Sequence, residues 1–275
     1  MNTKYIFLDI DGTLVGYDSK IPASALKALK MAQANGHKII IASGRNYGSI
    51  YKDLLAAVDF DGIIAAGGSC VIVDGKVIFE SFIEGDDLAF VIDYFRANGI
   101  NYLLATKDDI YAEPVFNNYV IPGMIQNGYN EDLVMQAYGG NIEVEDVRLV
   151  KGGEKLAYFT SPFLPDKIAK DLDGRFYVVD FRVGNVSAST YFGEMNNAGI
   201  TKASGIDEYL ACVGGSLEDT IAIGDSANDL EMLEHAHIAV AMGNGTDAAK
   251  AASDFVTTAV DQDGIYNAFV KLGLI

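Results

Sequence analysis

The sequence predicts an α/β protein whose mostly parallel sheet is interrupted by an inserted α+β domain. Short apolar runs alternate with helical patterns in the first third of the chain and again in the last quarter, the rhythm of βαβ units. Three of these runs end in polar groups, at Asp9, Ser43 and Asp225. The stretch between, from about Phe82 to Val186, has another texture. It mixes helices with aromatic-rich short strands and holds Pro114, Pro122, Pro162 and Pro165, four of the five prolines. Right-handed crossovers make the sheet of such a split domain mostly parallel.

The elements follow in order. An apolar run from Tyr5 carries Asp9 and Asp11 into Gly12. Pro22 opens a helical pattern with Ala25, Leu26, Leu29 and Ala32 as its stripe, and Asn35-Gly36 stops it. His37–Ala42 reads as a buried strand with Ser43-Gly44-Arg45 at its carboxyl end, followed by a helix to about Val58. Asp61-Gly62 leads into a strand, Ile63–Ala66. Asp74-Gly75 joins Val71–Val73 to Val77–Phe79 as a hairpin. In the middle come a helix, Asp86–Asn98, and strands over Ile100–Thr106, Lys155–Thr160 and Phe176–Val183. The last quarter gives a strand ending at Asp225, a helix Asn228–His235 and a strand His237–Ala241. A helix from Thr246 or Asp247, a short strand Phe255–Thr258 and a closing helix finish the chain. The predicted domains are 1–81 with 187–275, and 82–186.

Half of the 275 residues are apolar and about a fifth are charged, an ordinary globular composition. The formal charge of −18 argues against broad nucleic-acid binding. It does not exclude a small anionic substrate, because one cleft can be locally positive on an acidic protein. Cys70 and Cys212 form no disulfide framework, and three histidines give no zinc signature. The sequence enters its first strand at once, so no signal-type leader is expected, and no apolar run approaches the roughly 20 residues of a membrane helix. The expectation is a cytoplasmic protein with no nucleic-acid or membrane partner, a monomer or small homo-oligomer.

Side chains at i and i+2 of an extended segment point the same way, so Asp9 and Asp11 can face one reacting group. Two adjacent carboxylates repel unless a cation or a shared proton relieves them, which suggests a metal, acid–base chemistry, or both. If Asp9, Ser43 and Asp225 all end parallel strands of one sheet, they share one rim with the backbone N–H groups of Gly12 and Gly44. Glycine lets the backbone approach a phosphate closely, and carboxylates at that rim call for a hard cation, for which magnesium fits best. A calcium loop fits poorly: glycine stands fourth rather than sixth, and Lys20 takes the place of the closing glutamate. Taken singly, Ser43-Gly44-Arg45 is an ordinary strand-to-helix turn, Gly224–Asp229 a capped helix start and Lys202 a solvated lysine. Their combination describes phosphoryl chemistry.

Asp9-Ile10-Asp11-Gly12-Thr13-Leu14 resembles the first motif of the haloacid dehalogenase superfamily of phosphatases. Ala42-Ser43-Gly44-Arg45 resembles its second motif, Lys202 its third, and Gly224-Asp225 through Asn228-Asp229-Leu230-Glu231-Met232-Leu233 its fourth. The large insertion, together with Ala239–Asn244 and Asp261–Ile265, is similar to the Cof-like branch and its α/β cap. The resemblance covers essentially the whole chain and implies a Rossmann-like core with the cap inserted. Two departures stand out. Gly67-Gly68-Ser69 replaces the usual Asn-Gly-Ala, removing a side-chain amide near the substrate, and Ser43 replaces the commoner threonine while keeping a hydroxyl.

The resemblance implies a magnesium-dependent phosphomonoesterase for small phosphorylated metabolites, sugar phosphates above all, working through an aspartyl-phosphate. Asp9 is then the nucleophile and Asp11 the general acid and base. Magnesium takes the Asp9 and Asp225 carboxylates and the Asp11 backbone carbonyl, with Asp229 orienting a metal-bound water or Lys202. Ser43, Gly44, Lys202 and Asn228 hold the phosphate, and Arg45 reaches the phosphate or the cap. The cap reads the leaving group, with Glu113, Asn117, Asn118 and Arg182 as polar candidates. The alternatives are a phosphomutase or other phosphoryl transferase using the same intermediate, and a phosphate-binding protein without catalysis.

Overall fold

A computed structural model describes residues 2–16, 19–180 and 190–275. The chain forms two compact units, one of Met1–Gly44, Ile50–Glu80 and Thr201–Ile275, the other of Arg45–Ser49 and Ser81–Ile200.

The first unit is built on an eight-stranded sheet. Its strands are β1 (Tyr5–Leu8), β2 (Lys38–Ala42), β3 (Gly62–Ala65), β4 (Cys70–Val73), β5 (Lys76–Glu80), β6 (Thr220–Gly224), β7 (Ile238–Ala241) and β8 (Phe255–Val256). Their spatial order is β8-β7-β6-β1-β2-β3-β4-β5. Every pairing from β8 to β3 is parallel, while β4 pairs antiparallel with both β3 and β5. Ile6, Phe7 and Leu8 of β1 are fully buried and so are Ile39, Ile40 and Ile41 of β2, as a sheet covered on both faces requires.

The helices of this unit are α1 (Ala23–Ala34), α2 (Lys52–Ala57), α3 (Lys202–Val213), α4 (Leu230–His235), α5 (Asp247–Ala251) and α6 (Gly264–Lys271). On one face, Phe7, Ile40, Ile64 and Ala222 pack with Ile206, Tyr209 and Leu210 of α3 and with Met232 and Leu233 of α4. The Phe7 and Tyr209 rings meet edge-on at 5.6 Å, a favoured aromatic geometry. The Asp74-Gly75 turn carries φ values of 50° and 71°, the double left-handed geometry that a two-residue hairpin prefers.

The second unit holds a six-stranded sheet in the order Phe176–Asp180, Tyr191–Asn197, Lys155–Ser161, Asn101–Ala105, Ile110–Ala112, Ile142–Glu143. One face packs on the helices Gly85–Ala97 and Pro165–Asp171 through Leu88, Val91, Phe95 and Ile168, with Leu172 just past the second helix. The other face meets Phe116, Val120, Ile121 and Val134 through Leu103 and Phe159. Lys155 and Glu194 form an ion pair of 2.7 Å on adjacent strands, both almost fully buried.

Two expectations are corrected. The second boundary falls after Ile200 rather than at 186/187, because Tyr191–Asn197 pairs on both sides within the six-stranded sheet. The chain after Ser43 does not run straight into a helix either. Arg45–Ser49 joins the second unit before α2 begins. Arg182, and the end of the strand predicted through Val183, lie outside the described residues.

Candidate active site

Parallel pairing of β6, β1 and β2 brings the ends of three neighbouring strands to one rim, the place where open α/β sheets bind ligands. Asp9 follows β1, Ser43 follows β2 and Asp225 follows β6. The Asp9 N–H donates to the Ile223 carbonyl at 3.1 Å, extending the sheet pairing by one residue. Its side chain is nearly sealed from solvent.

Lys202 opens α3, where the Thr201 side chain caps the helix by accepting from the Ser204 N–H. This start aims the lysine inward. Its Nζ donates to Asp9 Oδ1 and to Asp229 Oδ1, both at 2.6 Å, and all three groups are buried. Asp229 Oδ2 accepts from the backbone N–H groups of Asp225 and Ser226 at 2.8 and 2.9 Å. Asp229 therefore ties the lysine to the loop that presents Asp225. Asp225 Oδ1 in turn accepts from the Thr13 hydroxyl at 3.1 Å.

The electrostatics are unbalanced. Burial raises Asp9 well above the usual carboxylate range; Lys202 opposes this, while Asp229, Asp225 and Asp11 add to the rise. Asp225 is pushed up to about 7 by burial and by Asp229, against the hydrogen bond from Thr13 and the charge of Lys202. Burial alone would discharge Lys202, but the Asp229 and Asp9 carboxylates reverse the sign and hold its ammonium charged. Asp9, Asp225 and Asp229 each offer a carboxylate oxygen within 4.8 Å of the others. Three acids around one lysine form a hard, oxygen-only donor set with surplus negative charge, and a divalent cation suits it.

The structure thus joins Asp9, Lys202, Asp225 and Asp229 directly. Asp11 is exposed on the same turn, and Tyr51 donates its hydroxyl to Asp11 Oδ1 at 3.0 Å. Ser43 and Gly44 are buried at the end of β2, where Gly67 N–H donates to the Ser43 carbonyl at 2.9 Å. Gly67 thus supports that loop through its backbone. Asn228 Oδ1 accepts from Ser226 Oγ at 2.6 Å. Arg45 belongs to the second unit and donates to the Ser49 carbonyl at 3.2 Å. Of the other polar candidates, Glu113 is held by Arg96, Tyr102 and the Val147 N–H, Asn117 by Asn141 and Glu143, and Asn118 is exposed.

Sequence reasoning missed Thr13, Tyr51 and Asn244 as parts of this site. Asn244 clamps the glycine turn, donating to the Gly12 carbonyl and accepting from the Val260 N–H, both at 2.8 Å. A signal existed for Asn244, in the Ala239–Asn244 similarity to the Cof-like branch. No spacing pattern marks Tyr51.

The chain belongs to the haloacid dehalogenase-like hydrolases, whose family profile matches residues 6–269. It is a phosphatase of that superfamily, a hydrolase of phosphoric monoesters. It is 28% identical over 279 residues to the Bacillus subtilis protein YkrA, covering all of both chains. It is 27% identical to the 5-amino-6-(5-phospho-D-ribitylamino)uracil phosphatase YitU of Bacillus subtilis, covering 96% of each. Its fold matches the solved structure of the subclass IIB sugar phosphatase BT4131 with a TM-score of 0.79 and 29% identity, over 99% of this chain and 100% of that one.

Proposed function

We propose that the protein is a magnesium-dependent phosphomonoesterase for small sugar phosphates that works through an aspartyl-phosphate on Asp9. One observation carries the reading. Asp9, Lys202 and Asp229 are buried together at the carboxyl ends of β1 and β6, with the half-buried Asp225 carboxylate within 4.8 Å of the other two acids.

Asp9 attacks phosphorus in line. The Asp9 O–P bond forms as the bond from phosphorus to the leaving oxygen breaks, and Asp11 gives its proton to that oxygen. Asp11, now ionised, takes a proton from water. The water oxygen attacks phosphorus, orthophosphate leaves, and Asp9 is restored as a carboxylate. Lys202 neutralises a non-bridging phosphate oxygen, and Ser43, Gly44 and Asn228 donate to the others. Asp229 holds Lys202 in place, and Arg45 reaches either the phosphate or the cap.

Magnesium would be held by the Asp9 and Asp225 carboxylates and the Asp11 backbone carbonyl; when bound, it neutralises phosphate charge. The second unit acts as the cap that excludes water and reads the leaving group. The relatives support the substrate class: BT4131 is a sugar phosphatase, and the YitU substrate carries a phosphorylated ribityl chain. Both leaving groups are polyhydroxylated alcohols. No helix among the described residues is long and apolar enough to cross a membrane.

A phosphate-release screen over several dozen phosphorylated metabolites with magnesium tests this reading. Hexose and pentitol phosphates are expected among the fastest substrates. Isomerised sugar phosphate without release of orthophosphate would replace the hydrolase reading with that of a mutase.

A further inference from the structure

The five residues Arg45–Ser49 belong to the second unit, yet both neighbouring stretches belong to the first. On one side the chain leaves from Ser43-Gly44, the candidate phosphate loop. On the other it returns at Ile50-Tyr51, and Tyr51 hydrogen-bonds Asp11 at 3.0 Å. A segment held by one unit therefore connects two parts of the site in the other.

The hold is specific. Asn46 is buried and its Nδ2 donates to the carbonyls of Thr106 and Lys107 at 2.8 and 3.3 Å, with the Asp109 carbonyl at 3.5 Å. Its Oδ1 accepts from the Ser49 hydroxyl. Gly48 N–H donates to the Lys107 carbonyl at 2.7 Å. A Cβ at Gly48 would lie 2.0 Å from the Asp108 carbonyl oxygen, so only glycine permits this approach. The receiving turn is itself closed by Thr106 N–H donating to the Asp109 carbonyl at 2.9 Å.

We propose that Asn46 is a positioning residue for proton transfer: by fixing Arg45–Ser49 on the Thr106–Asp109 turn, it sets Tyr51 and through it the Asp11 carboxyl. The proposal rests on the reading of Asp11 as general acid and base. It ties the second unit to chemistry as well as to recognition. Proton delivery is competent when the segment is gripped and degraded when the grip is lost.

Leaving-group dependence tests this. A sugar alkoxide needs a proton as its bond to phosphorus breaks, whereas p-nitrophenolate leaves without one. Single-turnover release of the leaving group is measured for a hexose 6-phosphate and for p-nitrophenyl phosphate, both with magnesium. Asn46→Ala and Gly48→Ala are each expected to slow hexose release by about tenfold or more and p-nitrophenolate release by less than about threefold. Loss of structural integrity alone would slow both substrates alike, and that result overturns the proposal, as does unchanged hexose release. If Asn46→Ala does not fold, Gly48→Ala, at an exposed turn, decides the question. Asp11→Asn is the control. If it spares hexose release, the acid assignment fails and the proposal with it. If it slows hexose release selectively while Asn46→Ala and Gly48→Ala do not, the coupling alone is wrong.

Discussion

Lys202 shows how much of this site depends on one side chain. It is 2% exposed and bridges two carboxylates that are also buried, Asp9 at 4% and Asp229 at 0%. Removing one partner of a buried ion pair leaves uncompensated charge, at about 3–5 kcal/mol. Lys202→Met should therefore lower the unfolding free energy by about that amount at neutral pH, measured by urea denaturation. The deficit should shrink as the pH falls, because Asp9 already has a raised pKa and takes a proton to relieve it. The sequence offered Lys202 only as a solvated lysine unless read beside the other motifs. Its burial depends on residues far along the chain, which no local pattern encodes. Tyr51 was illegible for the same reason: its partner Asp11 is 40 positions away.

At the level of elements, the strands that end in the site were the most legible. Continuous apolar runs such as Ile39–Ala42 and Ile221–Ile223 have no rival reading once glycine and a polar group stop them. The insertion was harder. No element was expected between Thr106 and Lys155, where the structure has helices at Ile121–Gln126 and Glu131–Tyr138. Tyr191–Asn197 was missed as a strand because Gly193, Glu194, Asn196 and Asn197 disfavour that state. Its burial is satisfied by tertiary partners, Lys155 for Glu194 and the Glu154 carbonyl for Asn196. The turn after β1 makes a sharp expectation. Gly12 has φ of 87°, and a Cβ there would lie 2.4 Å from Asp225 Oδ2. Gly12→Ala should displace that carboxylate and weaken magnesium binding by about tenfold or more, read by isothermal titration. Unchanged magnesium affinity would show that Asp225 does not depend on this turn.

For the whole molecule, the surplus of acid in the site links stability to pH and to cation. Asp225 titrates at about 7 in the folded chain against an ordinary 3.8. Between those values the folded state binds more protons than the unfolded one, so this group's contribution to stability falls as pH rises through the window. A divalent cation that binds the ionised carboxylates opposes the loss. Magnesium should raise the melting temperature little near pH 4 and increasingly up to about pH 7, as followed by differential scanning calorimetry. A magnesium shift independent of pH over that range would place the ion elsewhere. The two-unit division was legible from composition, since the texture changes near Phe82. Its second boundary was not, because the last strand of the insertion is polar and the excursion of Arg45–Ser49 leaves no mark in sequence.

The proposed chemistry turns on Asp9 as the carrier of the phosphoryl group. Acid quenching during turnover of a hexose phosphate with magnesium, followed by borohydride reduction and peptide mass spectrometry, examines it directly. Reduction of residue 9 to homoserine is expected during turnover, with neither this product nor phosphate release in Asp9→Asn. Turnover with Asp9 unreduced, together with near wild-type phosphate release from Asp9→Asn, would contradict it.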